Sequence, residues 1–156
     1  MASTAETASV QRELQIDASP ATVWEFLVDP AKAVRWMGMQ VTIEPREGGE
    51  YRCDVIPGHS ARGEVVELDP PHRLVFTWGW EPGEDGAHPV PPGASTIEIS
   101  LEPEGEGTRL RFTHRDLPSQ ESATSHEVGW DHYLARLATA AAGGEPGADP
   151  WQTGDM

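Results

Sequence analysis

The sequence predicts an α+β fold: a seven-stranded antiparallel sheet curled around one long C-terminal helix, with two short helices after the first strand. Three observations carry the prediction. Ser119 to Ala142 is a helical stretch whose Trp130, Leu134, Leu137 and Ala141 fall on one face at spacings of four, three and four. Ahead of it lie short segments of alternating polarity divided by Gly, Pro and acidic turns, and sequential strands with short turns pair antiparallel. Clean alternation leaves one sheet face apolar, and only the last helix is long enough to cover it.

Met1 to Ser9 is small and polar, and is expected to be a flexible N-terminus. From Val10 to Ile16 the even positions are Val10, Arg12, Leu14 and Ile16, a strand whose alternation Arg12 interrupts. Ser19-Pro20 supplies an N-cap and a proline at the first helical position, and Val23, Trp24, Phe26 and Leu27 make a short apolar helix. Asp29-Pro30 repeats the signal, and a second short helix runs to Trp36-Met37 before Gly38.

The middle reads as strands. Met39 to Pro45 alternates weakly, Gly48-Gly49 turns the chain, and in Glu50 to Ile56 the residues Tyr51, Cys53 and Val55 alternate with Arg52 and Asp54. Arg62 to Leu68 has ambiguous parity because Val65 and Val66 are adjacent. After Asp69-Pro70-Pro71, the segment His72 to Trp80 puts Leu74, Phe76, Trp78 and Trp80 on one face. Glu81 to Ala94 holds four prolines, three glycines and three acids, and is expected to be an exposed loop. Ile97, Ile99 and Leu101, then Leu110, Phe112 and His114, complete the inward rows. Gly143-Gly144 stops the helix. One domain over residues 10–143 follows, with a disordered C-terminal tail over 144–156 in which Trp151 has no evident role.

The 156 residues suffice for one domain with a core. A formal net charge of −15, from 26 acidic and 11 basic residues, repels phosphate backbones and anionic lipid, so neither nucleic acid nor membrane is an expected partner. The single cysteine, Cys53, excludes an intramolecular disulfide. Met1 to Ser9 is no signal peptide, and no apolar run approaches the roughly 20 residues of a spanning helix; a cytoplasmic location is expected.

In order along the chain, Ser19-Pro20-x-x-Val23-Trp24, Asp29-Pro30, Trp36, Gly48-Gly49, Gly63-x-Val65, Pro70-Pro71-x-Arg73-Leu74, Thr77-Trp78, Gly107-Thr108-x-Leu110, Thr113-His114 and Gly129-Trp130-x-x-Tyr133-Leu134 resemble the Hsp90-ATPase-activator-homologue family. That family belongs to the START/Bet v 1-like helix-grip superfamily, which includes polyketide cyclases and aromatases. The resemblance covers about Val10 to Ala142. It implies the helix-grip fold and an apolar cavity between sheet and helix, but not one reaction, since the superfold hosts binding, transport and catalysis. The eukaryotic co-chaperones carry an additional N-terminal domain that the matched stretch does not include, so Hsp90 stimulation is not an expectation.

His59, His72, His88, His114, His126 and His132 show no chelating spacing, and no cofactor or metal is expected. A Cys53/His114 pair shares inward parity, as chance in such a sheet allows. His114 itself is either a histidine tied to a backbone carbonyl or a polar group facing the cavity. The aromatic row of Phe76, Trp78 and Trp80, joined by Trp36, Tyr51, Trp130 and Tyr133, is either core or ligand contact; the polar tips of Trp and Tyr favour a wet or ligand-filled pocket. The expected function is binding of a small apolar or aromatic molecule, by a monomer or homodimer, with no assigned reaction. The cavity candidates are Trp36, Tyr51, Cys53, Phe76, Trp78, Trp80, Phe112, His114, Trp130, Tyr133 and Leu134. Two alternatives stand beside it: a cyclase-type enzyme in which His114, Tyr51 or Glu67 handles a proton, and a chaperone or regulator interaction module.

Overall fold

The computed structural model describes residues 8–82 and 90–153. Strand β1 (Ala8–Ile16) precedes the helices α1 (Pro20–Val28) and α2 (Pro30–Ala33). Six strands follow: β2 (Gln40–Ile43), β3 (Glu50–Ile56), β4 (His59–Asp69), β5 (Arg73–Trp78), β6 (Ser95–Glu104) and β7 (Gly107–Leu117). The long helix α3 (Gln120–Ala141) comes next, and a short 3-10 turn covers Pro150–Thr153. The strands form one antiparallel sheet in the order β1-β7-β6-β5-β4-β3-β2. This is the α+β arrangement that the alternation predicts, and the helix-grip fold that the family resemblance implies.

Local chemistry starts each helix. The Ser19 hydroxyl accepts from the Thr22 amide and the Asp29 carboxylate from the Ala31 amide, and a proline follows each cap. Ser119 accepts from the Ser122 amide at the head of α3. Ile97, Ile99, Leu101, Leu110 and Phe112 are all buried, as the inward rows of β6 and β7 require. The stripe Trp130, Leu134, Leu137 and Ala141 is buried against them.

Two irregularities of pattern have structural causes. Arg12 breaks the alternation of β1 because it reaches α3: its Nε donates to Asp131 Oδ1 at 2.6 Å, and Glu127 lies 3.9 Å away. The ambiguity at Val65-Val66 is a register shift in the β4–β5 pairing between Val65 and Glu67. Alternation buries Val65 (1% exposed) and turns Val66 out (51%), and past the shift Glu67 stays exposed beside Val66. The same shift puts Glu67 on the outer face, where it accepts from Arg73 Nε at 2.9 Å, so it faces no cavity. Beside it Glu98, bonded by Arg115 and Arg73, is held below the usual carboxylate range.

Other boundaries differ from expectation. β1 begins at Ala8, while residues 1–7 lie outside the described residues, as do residues 83–89 of the predicted loop, His88 among them. Val90 is buried, its carbonyl accepting from the Trp80 amide at 2.7 Å, so that end of the loop is packed. The tail beyond Gly144, expected to be disordered, is docked through Trp151: Asp149 is buried and Trp151 stacks on His132. The reason is the one apolar and one acidic side chain that a polar, Gly/Pro-rich composition conceals.

Candidate functional site

The aromatic row on β5 does two different jobs along its length. At the closed end of the sheet, Tyr51 stacks on Phe76 with ring centroids 4.2 Å apart, and Phe112 meets Trp130 at 4.6 Å. With Trp36 these rings leave a void of about 10 Å³, room for at most one water. Burial pushes the Tyr51 phenol well above its ordinary range, so it stays protonated. This part of the predicted cavity is filled core.

At the other end, where β3 and β5 finish and α3 begins, an open pocket of about 250 Å³ remains. Trp78, Trp80, Trp130 and Tyr133 line it, together with Met37, Val55, Ile56, His59, Ser125, His126, Val128, Gly129 and Trp151. Trp78 and Trp80 meet edge to face at 5.3 Å, and Trp78 lies 5.2 Å from Trp130. The Trp78 indole N–H is buried with no hydrogen-bond acceptor among the described residues.

Two histidines sit behind these rings. The Trp130 indole N–H donates to His114 Nδ1 at 3.0 Å. Ser95 donates its one hydroxyl hydrogen to the Trp78 carbonyl at 2.8 Å, so it must accept from His114 Nε2 at 2.7 Å. His114 is therefore the neutral tautomer with hydrogen on Nε2. The Trp80 indole N–H donates to His126 Nε2 at 3.1 Å, and His126 Nδ1 donates to the Ser122 carbonyl at 2.7 Å. His126 is neutral for the same reason. The two imidazoles stand edge to face at 5.0 Å. Burial, and then the neighbouring His126, lower His114 to about 3; burial lowers His126 as well.

His114 is fully buried and does not line the pocket; it is the structural tie, bonded through Ser95 rather than directly to a carbonyl. Both its nitrogens are occupied, so no Cys53/His114 pair forms. Cys53 is buried beneath Gly38, where an added Cβ would lie 2.6 Å from its Sγ. Burial pushes its thiol up to about 12. Cys53 and Leu134 line neither space. Among the described residues no group of three or more His, Cys, Asp or Glu is placed to hold a metal.

Sequence reasoning missed His126 and Trp151 as pocket residues. His126 lies four positions before Trp130, on the same helical face, and that spacing could have placed it. Trp151 carried a weaker signal, a large apolar side chain in a polar tail.

The comparisons with known proteins agree with the fold. An AHSA1-like protein from Rhizobium etli, solved in solution, is 46% identical over 94% of this chain and 89% of its own, with a TM-score of 0.73. CalU16 from Micromonospora echinospora is 25% identical over 88% of this chain and 86% of its own, with a TM-score of 0.64. An HSP90 activator from Plasmodium falciparum shares the fold at 20% identity, covering 83% of this chain and 92% of its own, with a TM-score of 0.66. No curated protein matches the chain in sequence. No helix among the described residues is long and apolar enough to cross a membrane. The family model described as Activator of Hsp90 ATPase homolog 1-like protein matches residues 17–142, and the chain belongs to that family.

Proposed function

We propose that this protein binds one small apolar or aromatic molecule in the pocket between the ends of β3 and β5 and the first half of α3. The carrying observation is the space of about 250 Å³ bounded by Trp78, Trp80 and Trp130. It lies just under the ~300–1,000 Å³ typical of drug-sized ligands, which suits a molecule of one or two rings. Indole walls supply dispersion and ring stacking to any flat apolar guest.

The geometry gives the enzyme alternative little support. His114 and His126 have both nitrogens engaged, Tyr133 donates its hydroxyl to Asp149, and Glu67 faces outward. General acid–base work needs a group free to exchange a proton with the guest.

The test is a titration with the neutral two-ring naphthalene dye prodan. The folded protein should bind it saturably at about one site, as a single pocket of this size requires. Trp78→Ala would also damage the core, so the diagnostic variant is Ser125→Trp, which fills the pocket from an exposed position of α3. It should abolish dye binding at unchanged Tm. Dye that binds only to unfolded protein, or equally to Ser125→Trp, overturns the reading.

A further inference from the structure

One wall of the pocket comes from neither the sheet nor α3. At the end of α3 the Gly144 amide donates to the Thr139 carbonyl and Gly143 takes a positive φ of 94°, which reverses the chain. Segment 145–151 then runs back along α3, from Arg136 toward His132. Arg136 donates to the carbonyls of Pro146 and Gly147, and Glu145 pairs with Arg35 at 3.1 Å.

The segment ends on a buried carboxylate. Asp149 is 3% exposed and accepts from the Tyr133 hydroxyl at 2.6 Å, His132 Nε2 at 2.9 Å and the Trp151 amide at 3.0 Å. Burying a carboxylate is costly unless donors surround it, and two of these three, Tyr133 and His132, do so only when the segment is seated. Trp151 then stacks on His132 at 4.0 Å and completes the pocket. Residues 145–150 are polar or small, so beside the Arg136 and Arg35 contacts the segment offers few large apolar side chains; a stretch with few buried apolar contacts opens at low cost.

We propose that segment 145–151 is a detachable strap: Asp149 latches it to Tyr133 and His132, and Trp151 closes one side of the pocket only while the latch is made. The consequence for a guest rests on the proposed binding function, but the strap itself is testable without any guest. Two full-length variants, Asp149→Ala and Trp151→Ala, are compared with wild type by two readouts. Hydrogen–deuterium exchange reports on residues 145–151. Acrylamide quenching reports on the tryptophans behind the strap, with Trp151→Phe as the reference so that its own emission does not intrude.

Exchange of the segment should rise roughly tenfold or more in Asp149→Ala, as for the loss of charge-assisted hydrogen bonds, while residues 130–141 of α3 stay protected. In a Trp151→Phe background Asp149→Ala should also raise quenching, and Trp151→Ala should raise it relative to Trp151→Phe. A segment that exchanges equally in wild type and Asp149→Ala overturns the latch. Quenching unchanged in both variants overturns the wall. Failure of the dye to bind would sink the binding function and leave both of these results standing.

Discussion

The neutrality of His114 can be tested by acidification. Its Nδ1 already accepts the Trp130 indole N–H, so a proton there would face another donor inside a buried site. The folded protein refuses that proton until about pH 3, whereas the unfolded chain accepts it near the ordinary histidine value of about 6.5. The folded-state value is depressed, so full stability is present above pH 6.5 and is lost as pH falls from there toward 3. Each pH unit in that interval removes about 1.4 kcal/mol, so going from about pH 7.5 to about pH 5 removes about 2 kcal/mol through His114. His126, also lowered by burial, adds in the same direction. For a chain of this size, 2 kcal/mol corresponds to a Tm drop of about 4–8 °C. Asp149, Glu98 and Asp131 are held below the usual carboxylate range, so their losses come at lower pH and leave this window to the histidines. The assay is urea unfolding followed by tryptophan emission across that range, on wild type and His114→Gln. The variant should start about 1–3 kcal/mol less stable, because a buried partner loses its bond, and should lose less stability on acidification by one proton's worth. Wild-type stability that stays flat between pH 7.5 and 5, or a variant with the wild-type slope, would refute the reasoning.

The same glycine substitution should have opposite signs at two sites. At Gly63 an added Cβ would lie 1.7 Å from the Thr77 carbonyl oxygen, so Gly63→Ala must push β4 from β5 and should cost at least about 2 kcal/mol in urea unfolding. At Gly129, inside α3, nothing lies within 4 Å of such a Cβ, and Gly129→Ala should stabilise by about 0.5–1 kcal/mol through helix propensity. Equal signs would mean that backbone spacing at Gly63 is not what limits it. Excess EDTA should leave Tm unchanged, since no described cluster has a ligand set; a fall of several degrees would reveal a site.

The sheet was legible because a buried face demands period two and the loops between strands are short; β6 from Ser95 to Leu101 and β7 from Thr108 to His114 show this. The pattern failed only where a residue answers to something outside its own strand. Arg12 answers to Asp131 on α3, and Val65-Val66 to a register shift that only the neighbouring β5 defines. The candidate site divided along the same line. Parity can say that Tyr51, Phe76 and Phe112 point inward, but not that their combined volume fills the interior there and stops short of Trp80. Nor can it pair His114 with Trp130 or His126 with Trp80, because those bonds join residues 16 and 46 positions apart.

Those two bonds assign the histidines a part that their residue type does not suggest. A tryptophan wall is useful to a guest only if its ring holds one orientation, and a buried indole N–H must be satisfied to hold it. His114 fixes Trp130 and is itself fixed through Ser95 to the backbone of Trp78. His126 fixes Trp80 and is fixed to the backbone of Ser122. Each chain uses every polar atom of its imidazole, which spends the histidine on positioning and leaves none of its chemistry for a guest. Trp78 differs: its N–H is buried without an acceptor among the described residues, at a cost of about 1–3 kcal/mol. A further wall, Trp151, is held by a segment anchored at Asp149 and, nearer α3's end, by Arg136 and Arg35. The pocket thus has two indoles locked from behind and one that can leave. Under the proposed binding function, the locked walls would set shape selectivity and the proposed strap would set access.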